Sequence, residues 1–165
     1  MPPETRGGAW WRGVPATLAL SAGAGAIAAL GQAPLLWEPA LFLGIAAAVW
    51  LWGQARTLAR AAWIGWGFGA GYFALALMWI VEPFLIEPER YGWMAPFALF
   101  FLSGGLALFW AAAFAFARRF ASLVVLCLAL TVAEGLRSYV LTGFPWGLIG
   151  YVWLNSPVSQ LAAWV

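Results

Sequence analysis

The chain has 165 residues, of which 65% are apolar and 8% charged, with a formal net charge of +2. Soluble domains carry about 25% charged residues, so this composition leaves too few polar groups to cover a water-soluble globule and points to lipid as the solvent. All eight basic residues are arginine and stand at the ends of apolar runs, which excludes a nucleic-acid-binding patch, and no lysine, histidine or aspartate occurs.

Residues 14–30, rich in Ala and Gly, read as a first transmembrane helix. A cleaved signal peptide is the alternative, with Ala22, Gly23 and Ala24 near a cleavage site, but the apolar run is long for a signal core and further spans follow at once. A turn at 31–34 leads to a second apolar run over 35–52, with Pro39 in the first helical turn, where no amide is missed. The two form a helical hairpin. The next stretch, 53–60, is polar and carries Arg56 and Arg60.

A third span is expected over 63–81. Gly65 and Gly69, and Gly67 and Gly71, form two overlapping small-xxx-small pairs, each on one helix face where a neighbouring backbone can approach closely. A glycine-rich phosphate loop would need a preceding strand and usually a lysine, and neither is present. Residues 82–90 read as a solvated acidic loop with Glu82, Glu87 and Glu89, rather than an acid–base or metal-binding group. A fourth span over 93–117 exceeds the roughly 30 Å hydrocarbon thickness, so tilting or protrusion is expected. It ends at Arg118 and Arg119, and a fifth span follows over 120–140. Gly143 and Pro145 then break the helix, and a sixth apolar pattern begins near Val158.

Arginine placement sets the orientation. With a cytoplasmic N-terminus, Arg6, Arg12, Arg56, Arg60, Arg118 and Arg119 fall inside, against Arg90 and Arg137 outside. Glu38, Glu82, Glu87 and Glu89 fall outside on the same assignment, and several tryptophans (Trp37, Trp63, Trp79, Trp93, Trp146) stand near span ends, as an interfacial aromatic belt requires.

Two features could carry function. Glu134 and Arg137 are three residues apart and share a helix face near the outer end of the fifth span. They form either a polar pocket that touches a lipid headgroup or neighbouring domain, or an internal pair that shapes the following loop. That loop, with Thr142, Gly143, Phe144, Pro145 and Trp146, reads as an interfacial anchor or as a wall of a lipid or docking site. Cys127, among Leu126, Leu128 and Leu130, reads as a buried inert thiol, with no histidine or lysine in the chain to activate it. Ser103 and Ser122 lack such a partner for the same reason.

Taken together, the Gly65–Gly71 helix with Met78 and Trp79, the stretch with Glu89, Arg90 and Trp93, and above all Ala133-Glu134-Gly135-Leu136-Arg137, Thr142-Gly143-Phe144-Pro145-Trp146 and Gly150-Tyr151 resemble the membrane portion of bacterial apolipoprotein N-acyltransferases. Gly135 stands where that family usually has a tryptophan. The resemblance covers essentially the whole chain. It implies an enzyme that moves an acyl chain from a phospholipid to the N-terminal cysteine amine of a lipoprotein in lipoprotein maturation, with no cofactor or metal. It also implies a Glu–Lys–Cys triad in a periplasmic nitrilase-like domain. Without lysine, these residues cannot build that triad, so none of them is expected to be catalytic and the chain alone is expected to be inactive. The family would place it in the bacterial inner membrane, with the lipoprotein met through the missing domain.

The expected fold is therefore all-α: a polytopic transmembrane helix bundle of about five complete spans plus the start of a sixth, making residues 1–165 one membrane-embedded domain. A small transporter, or a scaffold for a separate soluble partner, is the alternative function.

Overall fold

The structure, a computed structural model, describes residues 9–140 and 143–164. Helices α1 (Ala9–Ala29), α2 (Glu38–Gly53), α3 (Leu58–Ala76), α4 (Pro88–Tyr91), α5 (Ala95–Phe120) and α6 (Leu123–Tyr139) are joined by short turns and 3₁₀ segments, with no strand among the described residues. Local chemistry sets the ends. Thr57 caps α3 by accepting the Arg60 amide at 3.2 Å, and Ser122 caps α6 through the Val125 amide. Pro39 occupies the first turn of α2. Ala121, at φ +48°, ends α5 just after Arg118 and Arg119, whose charges complement the last-turn carbonyls.

Helix α3 is the centre of the bundle, packed between α1 and α5; α2 lies on α1, and α6 on α5. The four glycines explain why. A Cβ on Gly65 would lie 2.7 Å from the Trp110 carbonyl oxygen, and one on Gly69 would lie 3.0 Å from Ala107 Cα, so this pair seats α5. Gly67 and Gly71 face the other way, where a Cβ would run into Ser21 Oγ and the Ala22 carbonyl of α1. The two spacing motifs thus serve two different partners. Between α3 and α5 lies an aromatic core. Phe68 stacks on Trp110 at 5.2 Å, and Tyr72 and Phe73 pack on the same indole at 5.1 and 4.9 Å.

The outside of the bundle is as apolar as its inside. Leu20, Phe42, Trp50, Phe101, Leu108, Leu128 and Val132 all point outward and exposed. Among the described residues charge is confined to the ends. Arg56, Arg60, Arg118 and Arg119 gather at one, where Arg118 lies over the Trp52 ring at 5.6 Å. Glu38, Glu82, Glu87, Glu89 and Arg137 are at the other.

The elements depart from expectation in several places. The third apolar run does not continue straight: α3 ends at Ala76, and a 3₁₀ helix, Met78–Leu85, leaves it at 47°. Leu77 at the break is buried, whereas Met78–Leu85 has no fully buried residue and keeps to the bundle through Ile80 on the core and Trp79 on Trp146. Residues 82–90, read as a loop, are partly helical, though Glu82, Glu87, Glu89 and Arg90 are exposed. The pattern near Val158 forms a 3₁₀ helix, Pro157–Trp164. Cys127 is exposed on the outer face of α6 rather than buried. Where the outer face is itself apolar, leucine neighbours do not distinguish inside from outside.

By length and composition, one helical stretch is clearly able to cross a membrane: Pro88–Phe120, 33 residues that contain an 18-residue stretch of mean hydropathy 2.0. Leu58–Ala76 with Met78–Leu85 qualifies as a bent pair. The apolar helices Gly13–Ala29 and Glu38–Gly53 are shorter. At 1.5 Å per residue, α2 reaches about 24 Å against a hydrocarbon core of about 30 Å.

Candidate functional site

The described residues contain one ion pair, and it lies where the sequence places it. Glu134 and Arg137 occupy the last two turns of α6, with Arg137 Nη2 donating to Glu134 Oε1 at 3.3 Å. Only 1% of the Arg137 side chain and 15% of the Glu134 side chain are exposed. The pair does more than satisfy itself. Arg137 Nη1 donates to the carbonyls of Phe144 at 2.9 Å and Trp146 at 2.8 Å. Glu134 Oε2 accepts the Ile149 amide at 3.0 Å. The Phe144 amide donates back to the Arg137 carbonyl at 3.1 Å. One acid and one base thus pin the backbone of a loop from residue 144 to residue 149.

The loop needs glycine to reach this position. Gly143 sits at φ +72°, and a Cβ there would lie 2.5 Å from the Ser138 carbonyl oxygen. Gly147, at φ +69°, rests against Leu77, Phe73 and Ala76. Both φ values belong to the left-handed region that glycine adopts without steric cost.

A second set of groups supports the pair from below. The Arg137 guanidinium carbon lies 4.9 Å from the centre of the Phe73 ring, within cation–π range. Gln32, in the turn between α1 and α2, donates from Nε2 to the Tyr72 hydroxyl and, at 3.1 Å, to the Leu148 carbonyl. Two buried donors, Trp110 Nε1 and Arg137 Nε, have no hydrogen-bond partner among the described residues. Trp110 Nε1 lies beside the Glu134 carboxyl without a hydrogen bond to it.

Of the loop residues singled out from sequence, Phe144 packs against the core, Pro145 is exposed, and Trp146 is half exposed with its ring edge-on to Trp79 at 5.7 Å. Thr142 lies outside the described residues. Beside the two tryptophans opens a cavity of about 620 Å³, which Gln32, Ala76, Tyr151 and Asn155 also line. Gln32, Tyr72, Phe73 and Trp110 were missed by the sequence reading. The first offered a signal, a lone amide in an otherwise apolar turn. The aromatics offered none, because thirteen tryptophans and twelve phenylalanines make one more ring unremarkable. Gly135 points outward into open space, so the departure at that position leaves the clamp untouched.

Chemically, the arrangement grips backbone. Both carboxylate oxygens of Glu134 are engaged.

These features define a class: an apolar helical bundle whose single described ion pair ties down a Gly-Phe-Pro-Trp loop at one end. The chain belongs to the family described as the apolipoprotein N-acyltransferase N-terminal domain, which matches residues 24–165. It is 43% identical over 159 residues to the apolipoprotein N-acyltransferase of Rhodopseudomonas palustris, covering 90% of this chain and 28% of that protein. It is 44% identical over 156 residues to that of Caulobacter vibrioides (89% and 29%), and 38% identical over 154 residues to that of Sinorhizobium fredii (85% and 29%). The chain thus spans less than a third of the length of these relatives.

Proposed function

We propose that this chain forms the membrane part of an enzyme that transfers an acyl chain from a phospholipid to the N-terminal cysteine amine of an apolipoprotein. Family membership across residues 24–165 is the observation that carries this reading. The apolar outer surface supports a lipid setting, since water-soluble monomers rarely expose apolar patches beyond a few hundred Å². In this reading the chain is a multi-pass bundle in the bacterial inner membrane. The arginine end with Arg56, Arg60, Arg118 and Arg119 faces the cytoplasm, and the end with Arg137 faces the periplasm. The phospholipid is the acyl donor, the lipoprotein is met through a nitrilase-like domain outside these residues, and no nucleic acid, cofactor or metal takes part. With no lysine in the chain, a Glu–Lys–Cys triad is carried elsewhere and the 165 residues alone are inactive.

The role assigned to Glu134, Arg137, Phe144, Pro145 and Trp146 is to hold the outer loop as a rigid platform beneath that domain, beside the donor lipid. Thr142 belongs to the same platform by sequence. Gly65, Gly67, Gly69 and Gly71 serve helix packing. A transporter is not favoured, because the charged groups among the described residues collect at the two ends of the bundle rather than along a path through it.

The test is a chimera. The matching stretch of the Caulobacter vibrioides enzyme is replaced by this chain, and the N-terminus of a lipoprotein is read by mass spectrometry in cells depleted of their own enzyme. N-acylated lipoprotein and restored growth are expected from the chimera, and no N-acylation from the 165-residue chain alone. A chimera that inserts normally but leaves lipoproteins unacylated would sink the proposal.

A further inference from the structure

At the arginine end, away from the clamp, α1 and the start of α3 enclose a cavity of about 170 Å³ lined by Val14, Thr17, Arg56, Thr57, Arg60 and Trp63. Its charge comes from two side chains rather than from the helix end, whose Arg60 amide is already capped by Thr57. Arg60 is held in place: Nη2 lies 3.4 Å from the Thr17 hydroxyl, which in turn donates to the Gly13 carbonyl at 2.7 Å. Thr17 is 7% exposed, so Arg60, though itself exposed like Arg56, is tethered to a buried anchor. Trp63 forms an apolar wall, braced edge-on by Trp66 at 5.9 Å, and Trp66 is itself fixed by a 3.0 Å hydrogen bond to the Gly104 carbonyl.

Among the described residues Arg56 and Arg60 have no counter-charge. Among the described residues the sole ion pair is Glu134–Arg137, and Glu38, Glu82, Glu87, Glu89 and Glu134 all lie at the opposite end of the bundle. Two guanidinium groups, the Thr57 hydroxyl and an indole wall in one small cavity match a phosphodiester with the root of its glycerol. Arginine grips phosphate oxygens in charge-assisted, often bidentate, geometry, and basic pockets between membrane helices recognise anionic headgroups. With no carboxylate nearby among the described residues to receive a headgroup ammonium, the fit is to an anionic lipid and not a zwitterionic one.

We propose that this cavity binds the phosphodiester of an anionic phospholipid in the leaflet at the arginine end, separate from the acyl donor on the other side. The proposal rests on the membrane reading above, and one experiment separates the two. The full chain is reconstituted into phosphatidylcholine nanodiscs, phosphatidylglycerol is titrated in, and retained lipid is counted by native mass spectrometry. Failure to enter nanodiscs would refute the membrane reading. Lipid preference, read on chains that do enter, tests the site. One phosphatidylglycerol is expected to be retained about tenfold more tightly than phosphatidylcholine, and R56Q/R60Q is expected to abolish that preference while R118Q/R119Q keeps it. Equal retention of the two lipids by the unaltered chain would overturn the proposal without recourse to any variant. Loss of the preference in both double variants would do so too, because it would mean general surface charge. Displacement of the lipid by millimolar inorganic phosphate would reassign the cavity to a free anion.

Discussion

Arg137 serves four partners with one guanidinium: a carboxylate, two carbonyls and an aromatic face. Removing one member of a buried ion pair leaves the other charge uncompensated, at about 3–5 kcal/mol. Arg137→Ala is therefore expected to lower thermal stability in detergent by that order, followed by circular dichroism. Glu134→Ala/Arg137→Ala together should cost less than the sum of the single changes, because the second loss no longer strands a charge. Arg137→Lys should rescue little, since an ammonium is a point charge and cannot fork to Phe144 and Trp146 while holding Glu134. Gly143→Ala should cost about 1–3 kcal/mol, from its positive φ and from the Cβ driven toward Ser138. The Glu134–Arg137 pairing was legible from three-residue spacing on a helix. Its second use, clamping carbonyls seven and nine residues on, was not, because backbone acceptors have no letter in a sequence. Cys127 failed for the reverse reason: its apolar neighbours are plain to read, but in this bundle they line the outside.

At the scale of the element, α3 is legible as a packing helix from its glycines, and the structure adds which partner each pair serves. Substitutions should divide accordingly. Gly71→Leu and Gly65→Leu drive side chains into the backbones of α1 and α5 and should each destabilise by about 1–3 kcal/mol or more. Gly23→Ala on α1 and Gly105→Ala on α5, with nothing within 4 Å of the added carbon, should stabilise by up to about 1 kcal/mol. Thermal melts of the four variants check the split; four equal losses would mean that close approach at α3 is not what matters. The break after Ala76 had no such signal. The nearest proline, Pro83, lies well past it; the break falls instead where full burial ends, at Leu77.

For the whole molecule, the prediction is about solvent. The outward face of α6 carries Cys127 among Val124, Leu128 and Val132, all exposed on the bundle. In intact membranes a membrane-impermeant maleimide should leave Cys127 unlabelled, and unfolding in SDS should expose it. Rapid labelling in intact membranes would place α6 in water and count against the bundle as a membrane body. The all-helical fold was readable from composition and run length. The length of each helix was less so, because hydropathy runs pass through turns and 3₁₀ segments that helices do not share.

The opposed glycine pairs of α3 also set an order of events during synthesis. By the time α3 leaves the ribosome, α1 has already been made, so the Gly67–Gly71 notch can be filled at once. The Gly65–Gly69 notch must wait for Ala107, Trp110 and Phe114, which are translated tens of residues later. A nascent chain stalled before Ala107 carries α3 with one side bare, and one stalled after Phe114 has made both of its neighbours. Between those two points the newborn helix has a vacant groove, and the arrival of α5 ends that interval.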